Sequence, residues 1–127
     1  MQIKSFRDLY VWQKAHLLAL NIYKIVNEFP KSELYGLSSQ LKRAVISVTS
    51  NIAEGFARRS KKEKIQFYFI SLGSITEIEN QLILAKDLRY LSEKIFDELF
   101  IQSDEIAKMI NGLIKSIKNS YLPTTNS

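Results

Sequence analysis

The sequence predicts an all-α protein, built as an up-down-up-down antiparallel bundle of four helices. Apolar residues recur at helical spacing in four long segments, and no segment shows the alternation of a strand. Only four glycines and two prolines interrupt the 127 residues. Helices joined by short connections pack as antiparallel neighbours. One domain is expected over residues 1–119, and a polar, disordered tail over residues 120–127.

The first helix is predicted to begin near Ser5, because Ser5 and Asp8 have the spacing of a capping box, and to end at Phe29–Pro30. Its apolar residues form two stripes, one of Leu9, Trp12, His16, Ala19, Tyr23 and Val26 and the other of Val11, Leu18, Ile22, Ile25 and Phe29. So broad an apolar surface exceeds what one seam of a bundle buries, which predicts self-association.

The second helix is expected to start between Glu33 and Ser38 and to run to about Arg58. Small residues line its core stripe, which permits close approach of a neighbouring helix. That stripe comprises Leu37, Leu41, Ala44, Val45, Val48, Ile52 and Gly55.

The third helix is predicted from Lys61 to about Arg89, and the fourth from the N-cap candidate Ser92 to about Asn119. The inward face of the third helix is predicted to comprise Ile65, Tyr68, Phe69, Leu72, Ile75, Ile78, Leu82 and Ile83. The fourth places Ile95, Leu99, Ile106, Met109, Leu113 and Ile117 on one face.

The turn between the second and third helices is unusually basic. Seven residues from position 58 to 64 hold five cations and one carboxylate. Ser60 and Glu63 have capping-box spacing, which makes Lys61 and Lys62 first-turn residues. Exposed cations there oppose the helix dipole and cost about 0.3–1 kcal/mol each. Because free N–H groups at a helix start attract anions, the conflict indicates a site for an anion.

An up-down bundle brings this turn to the same pole as the start of the first helix and the end of the fourth. The basic side chains gathered there are Arg58, Arg59, Lys61, Lys62, Lys64, Lys4, Arg7, Lys115 and Lys118. Only Asp8 and Glu63 oppose them, so the formal net charge of +5 is concentrated at this pole. The pattern predicts contacts to the phosphates of RNA with little base specificity.

The sequence does not predict catalysis. It also predicts no bound cofactor and no metal ion. The chain has one histidine and no cysteine, which leaves too few ligands for a di-iron or thiolate site. Glu77 and Glu79 point about 200° apart on a helix and so do not act together. His16 is predicted to be a core or interface histidine.

Several polar residues are expected to have structural or interface roles. Glu79 falls within the inward arc of the third helix, so its carboxylate requires a partner. Arg43, which shares a lateral polar stripe with Ser47, Ser50 and Glu54, has three candidate partners: Glu79, the Glu54 of a neighbouring subunit, or RNA. Asn51 is predicted to form a hydrogen bond between helices.

The chain resembles the bacterial four-helix-bundle family named for proteins encoded in intervening sequences of 23S rRNA genes. The matching motifs are Phe6-x-Asp8-Leu9-x-Val11-Trp12-Gln13-Lys14-Ala15, Phe29-Pro30-x-x-Glu33-x-Tyr35-Gly36-Leu37, Gln40-Leu41-x-Arg43-Ala44, Asn51-Ile52-Ala53-Glu54-Gly55 and Gly73-Ser74-x-x-Glu77-x-Glu79.

The resemblance implies a bundle that assembles as a ring-like homopentamer with a basic surface. Arg43, Asn51, Glu54, Gly55 and Glu77 match the family pattern, which brings no catalytic role with it. A more distant similarity, in fold alone, is to the accessory variability proteins of diversity-generating retroelements, which bind RNA and a reverse transcriptase.

These observations lead to two hypotheses of different classes. The first is a non-catalytic, RNA-binding homo-oligomer. The competing hypothesis is a protein–protein scaffold or accessory subunit, for example of a retroelement reverse transcriptase. The sequence predicts neither a secretion signal nor a membrane span, so a cytoplasmic protein is expected.

Overall fold

A computed structural model describes residues 2–120 and shows four α-helices and no strand in that range. The helices are α1 (Tyr10–Val26), α2 (Leu37–Ala57), α3 (Lys61–Asp87) and α4 (Glu93–Lys118). Short 3-10 turns, Phe6–Asp8 and Lys31–Glu33, precede α1 and α2. The tail was predicted to be disordered over residues 120–127, and its residues after Ser120 lie outside the described range.

Each helix packs against two others, so that the four enclose a common core. α1 contacts α2 and α4, and α3 contacts the same two helices on the other side. Aliphatic side chains such as Leu18, Ile22, Leu41, Ile78 and Ile110 have no exposed surface. The sequence therefore predicted correctly four long helices and no strand within residues 2–120.

Serine caps set the helix starts where the sequence predicted them. Ser60 Oγ accepts the Glu63 N–H at 3.1 Å, and Ser92 Oγ accepts the Ile95 N–H at the same distance. The Ser5–Asp8 capping box is also present, but it closes only the first 3-10 turn. Leu9 is extended, with φ −76° and ψ 127°, so α1 begins at Tyr10 and not near Ser5.

The inward face of α3 differs from the predicted one. Phe69 is 49% exposed and Ile83 is exposed as well, whereas Ser71 and Ser74 are buried. Ser71 Oγ donates to the Val48 carbonyl at 2.9 Å, and the hydroxyls of Ser47 and Ser74 lie 2.7 Å apart. Small hydrogen-bonded side chains thus fill the seam between α2 and α3, which apolar periodicity does not detect.

The two apolar stripes of α1 differ in burial: the second enters the core, whereas most of the first packs only against its edge. Val11, Leu18, Ile22 and Phe29 are buried, as the second stripe predicted. Of the first stripe only Val26 is buried, while the side chain of His16 is exposed and stacks on Trp12. The expectation of a core histidine was wrong for this chain, although the interface alternative stays a prediction.

Candidate functional site

The turn between α2 and α3 is short and is held by hydrogen bonds from both sides. Ser60 caps α3 through the Glu63 N–H, and its hydroxyl donates to the Glu63 carboxylate at 3.3 Å. Lys64 Nζ donates back to the carbonyl oxygens of Phe56 at 2.8 Å and Gly55 at 3.3 Å. The first turn of α3 therefore caps the last turn of α2.

Lys64 is consequently a structural cation. Its ammonium also lies 5.6 Å from the centre of the Phe56 ring, and burial lowers the pKa of Lys64. Because its ammonium donates to two carbonyl oxygens at the end of α2, Lys64 is not a free member of the basic set.

Three other predicted phosphate-binding residues have intramolecular partners. Arg58 pairs with Glu54 at 2.6 Å and lies over the Phe67 ring, 4.8 Å from its centre. Lys61 Nζ donates to the Ser120 carbonyl at 2.6 Å. Lys118 Nζ lies 5.5 Å from the centre of the Phe69 ring. An anion would have to compete with these contacts.

The remaining five basic side chains are exposed and form no ion pair or cation–π contact within residues 2–120. We call them the free cations; they are Lys4, Arg7, Arg59, Lys62 and Lys115. Lys62 stands at the second position of α3, where its charge opposes the helix dipole.

Contacts between elements bring several of these segments close together. The Lys61–Ser120 hydrogen bond joins the start of α3 to the end of α4. A cavity of about 400 Å³ lies between the chain start and α4, lined by Ile3, Leu9, Met109 and Leu113 among others. The first residues of the chain therefore lie beside the C-terminal half of α4.

The family-pattern polar residues have mostly local contacts. Asn51 Nδ2 donates to the Ser47 carbonyl of its own helix at 2.8 Å, so the predicted hydrogen bond between helices was wrong. Glu77 accepts from Gln81 Nε2 at 3.3 Å, also within one helix. Arg43 is exposed and has no polar partner in the described part of the chain.

Glu79 is half-buried, but the predicted intramolecular pairing with Arg43 is not formed. The described residues supply no salt bridge to its carboxylate, and the buried Oε2 accepts no hydrogen bond. Desolvation raises the pKa of Glu79, and the negative charge of Asp104 raises it further. The helical angle located this residue correctly but did not reveal its partners.

Two groups of contacts were missed by the sequence reasoning. Glu33 accepts the Leu37 N–H at 3.0 Å and the Tyr90 hydroxyl at 2.8 Å, which joins the α1–α2 and α3–α4 connections. An aromatic cluster lies beside Arg7, in which Trp12 stacks on His16 and Phe6 meets Trp12 edge-on. The i, i+4 spacing of Trp12 and His16 was the available signal for the stack.

Within residues 2–120 no cluster of three or more acidic or histidine side chains is placed to hold a metal ion. None of the described helices has an apolar stretch long enough to cross a bilayer. Within residues 2–120, the most distinctive charged feature is the basic turn before α3.

The family follows from the comparison with known proteins. The model of the 23S rRNA-intervening sequence protein family matches residues 7–112, so the chain belongs to that family. It is similar to the crystal structure of a protein of unknown function from the S23 ribosomal protein family of Bacteroides thetaiotaomicron VPI-5482. The two share 28% identity over 83% of this chain and 98% of that one, with a TM-score of 0.74. No curated protein matches the chain.

Proposed function

We propose that this protein binds RNA without catalysis, in the cytoplasm, by contacting phosphates through the basic end of the molecule. The observation that carries the proposal is the set of free cations, of which Arg59 lies in the α2–α3 turn and Lys62 in the first turn of α3, where it opposes the dipole of its own helix. RNA phosphates would relieve that repulsion. The family name, which refers to an intervening sequence of 23S rRNA, supports an RNA-associated role.

We infer further that the four helices alternate in direction. The Glu33–Tyr90 hydrogen bond brings the α1–α2 and α3–α4 connections together, and the Lys61–Ser120 bond brings the α2–α3 turn to the end of α4. Both contacts are those of an up-down-up-down bundle, which gathers the free cations at one end.

A homopentamer is the proposed assembly. Large apolar side chains remain exposed on several helices, including Leu17 and Leu20 on α1, Phe69 and Ile70 on α3, and Ile101 on α4. Contacts between copies would cover such surface, and a ring would repeat the free cations and so strengthen weak phosphate contacts through avidity.

Charge reversal at the turn tests the proposal. The variant Arg59→Glu with Lys62→Glu changes two free cations and leaves Lys61 and Lys64 in their structural contacts. Its affinity for a structured RNA should fall strongly, measured by fluorescence anisotropy at several salt concentrations. For the parent protein log K should decrease linearly with log salt.

The matched control is Lys31→Glu with Lys94→Glu, which changes net charge equally. Lys94 is the second residue of α4, just as Lys62 is the second residue of α3, and each helix has a serine N-cap. The control should bind RNA nearly as the parent does. If the Arg59/Lys62 variant bound RNA as well as the parent at equal salt, the scaffold hypothesis, with a polypeptide partner such as a reverse transcriptase, would be favoured.

A further inference from the structure

The first residues of the chain and the start of α1 bring three aromatic rings together. Phe6 meets Trp12 edge-on, with ring centres 5.2 Å apart and an interplanar angle of 67°. Trp12 and His16 are stacked at 4.8 Å and 13°. The stack adjoins Arg7, one of the free cations, so aromatic surface and unpaired positive charge occur side by side.

An open depression next to these rings combines one aromatic side chain with three polar ones. Ser5, Arg7, Asp8 and Trp12 line a volume of about 320 Å³. Here Trp12 provides the aromatic wall, and the other three residues provide the polar groups.

Hydrogen bonds already formed leave two of these polar groups available. Asp8 Oδ2 accepts the N–H groups of Lys4 at 2.9 Å and Ser5 at 3.0 Å, and the Ser5 hydroxyl accepts the Arg7 N–H at 3.1 Å. Asp8 Oδ1 and the Arg7 guanidinium have no partner in the part of the chain that the structure describes. The depression therefore offers one free carboxylate acceptor and one forked donor.

We propose that this depression binds a single unpaired nucleobase, preferentially guanine, of the RNA that the free cations hold. The inference rests on the proposed RNA-binding function. A guanidinium donates two hydrogen bonds to guanine O6 and N7, whereas adenine presents a donor in place of one of these acceptors. The N–H groups of guanine can donate to Asp8 Oδ1, and its ring can pack against the part of Trp12 that lines the depression, away from the indole face that His16 covers.

Paired and unpaired RNA differ in their access to such a site. Bases within a duplex are stacked and expose their edges poorly, whereas bases in loops and bulges can turn outward and stack on aromatic side chains. Because Arg7 belongs both to the depression and to the free cations, the base and neighbouring phosphates would be bound together.

Tryptophan fluorescence can report on this binding directly, because Trp12 is the single tryptophan of the sequence. The probes are three RNAs with one stem sequence: a hairpin with one guanine in a uridine loop, a hairpin with an all-uridine loop, and a loopless duplex. The guanine hairpin should quench Trp12 fluorescence and bind at least about fivefold more tightly than the uridine hairpin. The duplex should bind without quenching.

The variants Arg7→Gln and Lys4→Gln remove the same charge from neighbouring exposed positions, and only Arg7 lines the depression. Lys4→Gln should lower the affinity for all three RNAs by a similar factor and keep the preference for the guanine hairpin. Arg7→Gln should abolish the preference, with its helices intact by circular dichroism.

Two results would overturn the inference while the proposed function stands. One is equal, salt-dependent binding of all three RNAs without quenching of Trp12. The other is a guanine preference that survives in Arg7→Gln. Absence of binding to any of the three RNAs at low salt would instead refute the proposed function itself, together with this site.

Discussion

At the scale of the residue, Glu79 holds a charge that the fold does not compensate. Its Oε2 is buried without a hydrogen-bond partner, and the nearby negative charge of Asp104 adds repulsion. Since the pKa of Glu79 is raised in the folded chain, ionisation of this carboxyl favours unfolding. This loss of stability is absent below the ordinary pKa of 4.5. It is complete once the pH exceeds the pKa of Glu79 in the folded chain.

Glu79→Gln should therefore stabilise the protein at pH 7 and lose that advantage in acid. The expected gain is at most about 1 kcal/mol, because the side chain is partly exposed and screened by solvent. Urea denaturation at pH 7 and at pH 4 measures it. A loss of stability at pH 7 would mean that Glu79 has a favourable partner, for example in another subunit.

Glu33 shows the opposite shift. Chiefly the Leu37 N–H, and secondarily the Tyr90 hydroxyl, lower the pKa of Glu33 below its ordinary 4.5. Its contribution to stability is accordingly present above that value and lost as the pH falls through the folded pKa.

Tyr90→Phe removes only the second of these hydrogen bonds. The pKa of Glu33 should move part of the way back to its ordinary value, as followed by NMR titration of the carboxyl carbon. Stability should then be lost at a higher pH on acidification. Tyr10→Phe, which alters an exposed tyrosine without a hydrogen-bond partner among the described residues, is the control and should leave the Glu33 titration unchanged.

At the scale of the element, Gly55 permits the close contact between α2 and α3. A Cβ atom at this position would lie 2.5 Å from Cε1 and 2.9 Å from Cδ1 of Tyr68. Tyr68 is 2% exposed, so its ring has little room to withdraw. The same burial raises the pKa of Tyr68 to about 12. The small residue is thus required by packing.

Gly55→Ala should destabilise the protein by about 1–2 kcal/mol, since overpacking exceeds the gain in helix propensity. Gly73→Ala is the matched control, because a Cβ there meets nothing within 4 Å. It should stabilise α3 by about 0.5–1 kcal/mol. Thermal denaturation of both variants measures the two changes in stability. If Gly55→Ala and Gly73→Ala changed the stability equally, the proposed role of the Tyr68 contact would be contradicted.

Helix ends were predictable from sequence to the extent that local chemistry determines them. Ser60 and Ser92 cap helices through hydrogen bonds within three residues, so their spacing was informative. The inward face of α3 was less predictable. Ser71 and Ser74 are buried because α2 supplies partners for their hydroxyls, which no pattern within α3 contains.

The site shows the same division between local and tertiary information. Counting charges in the sequence identified the basic turn, including Arg59 and Lys62. It did not distinguish the free cations from Lys64 and Lys61, whose partners lie on α2 and beyond the end of α4. The depression beside Trp12 depends on how the first 3-10 turn folds against α1, so it too required the structure.

At the scale of the whole molecule, the exposed apolar side chains predict self-association. Leu17 and Leu20 on α1 are 57% and 55% exposed. Sedimentation should give a mass that is a multiple of 14.7 kDa, with five copies as the specific expectation.

Leu17→Asp with Leu20→Asp should reduce the assembly to monomers while circular dichroism stays unchanged. Tyr35→Asp is the control, because this 91% exposed aromatic lies in the connection before α2. A parent protein that sediments as a monomer at micromolar concentration would refute the assembly, and an intact oligomer in the leucine variant would refute this location for the interface.

The hydrogen bonds around the α2–α3 turn have a consequence for the proposed binding of RNA. Ser60 fixes the start of α3, and the Lys64 ammonium fixes the end of α2, so the intervening backbone is ordered before any ligand arrives. Binding at Arg59 and Lys62 would then restrict the rotamers of these side chains, at a free-energy cost of about 0.5–1.5 kcal/mol each. It would restrict the main chain little. If RNA binds here as proposed, Lys64 would contribute to affinity by ordering the turn, without contacting the ligand.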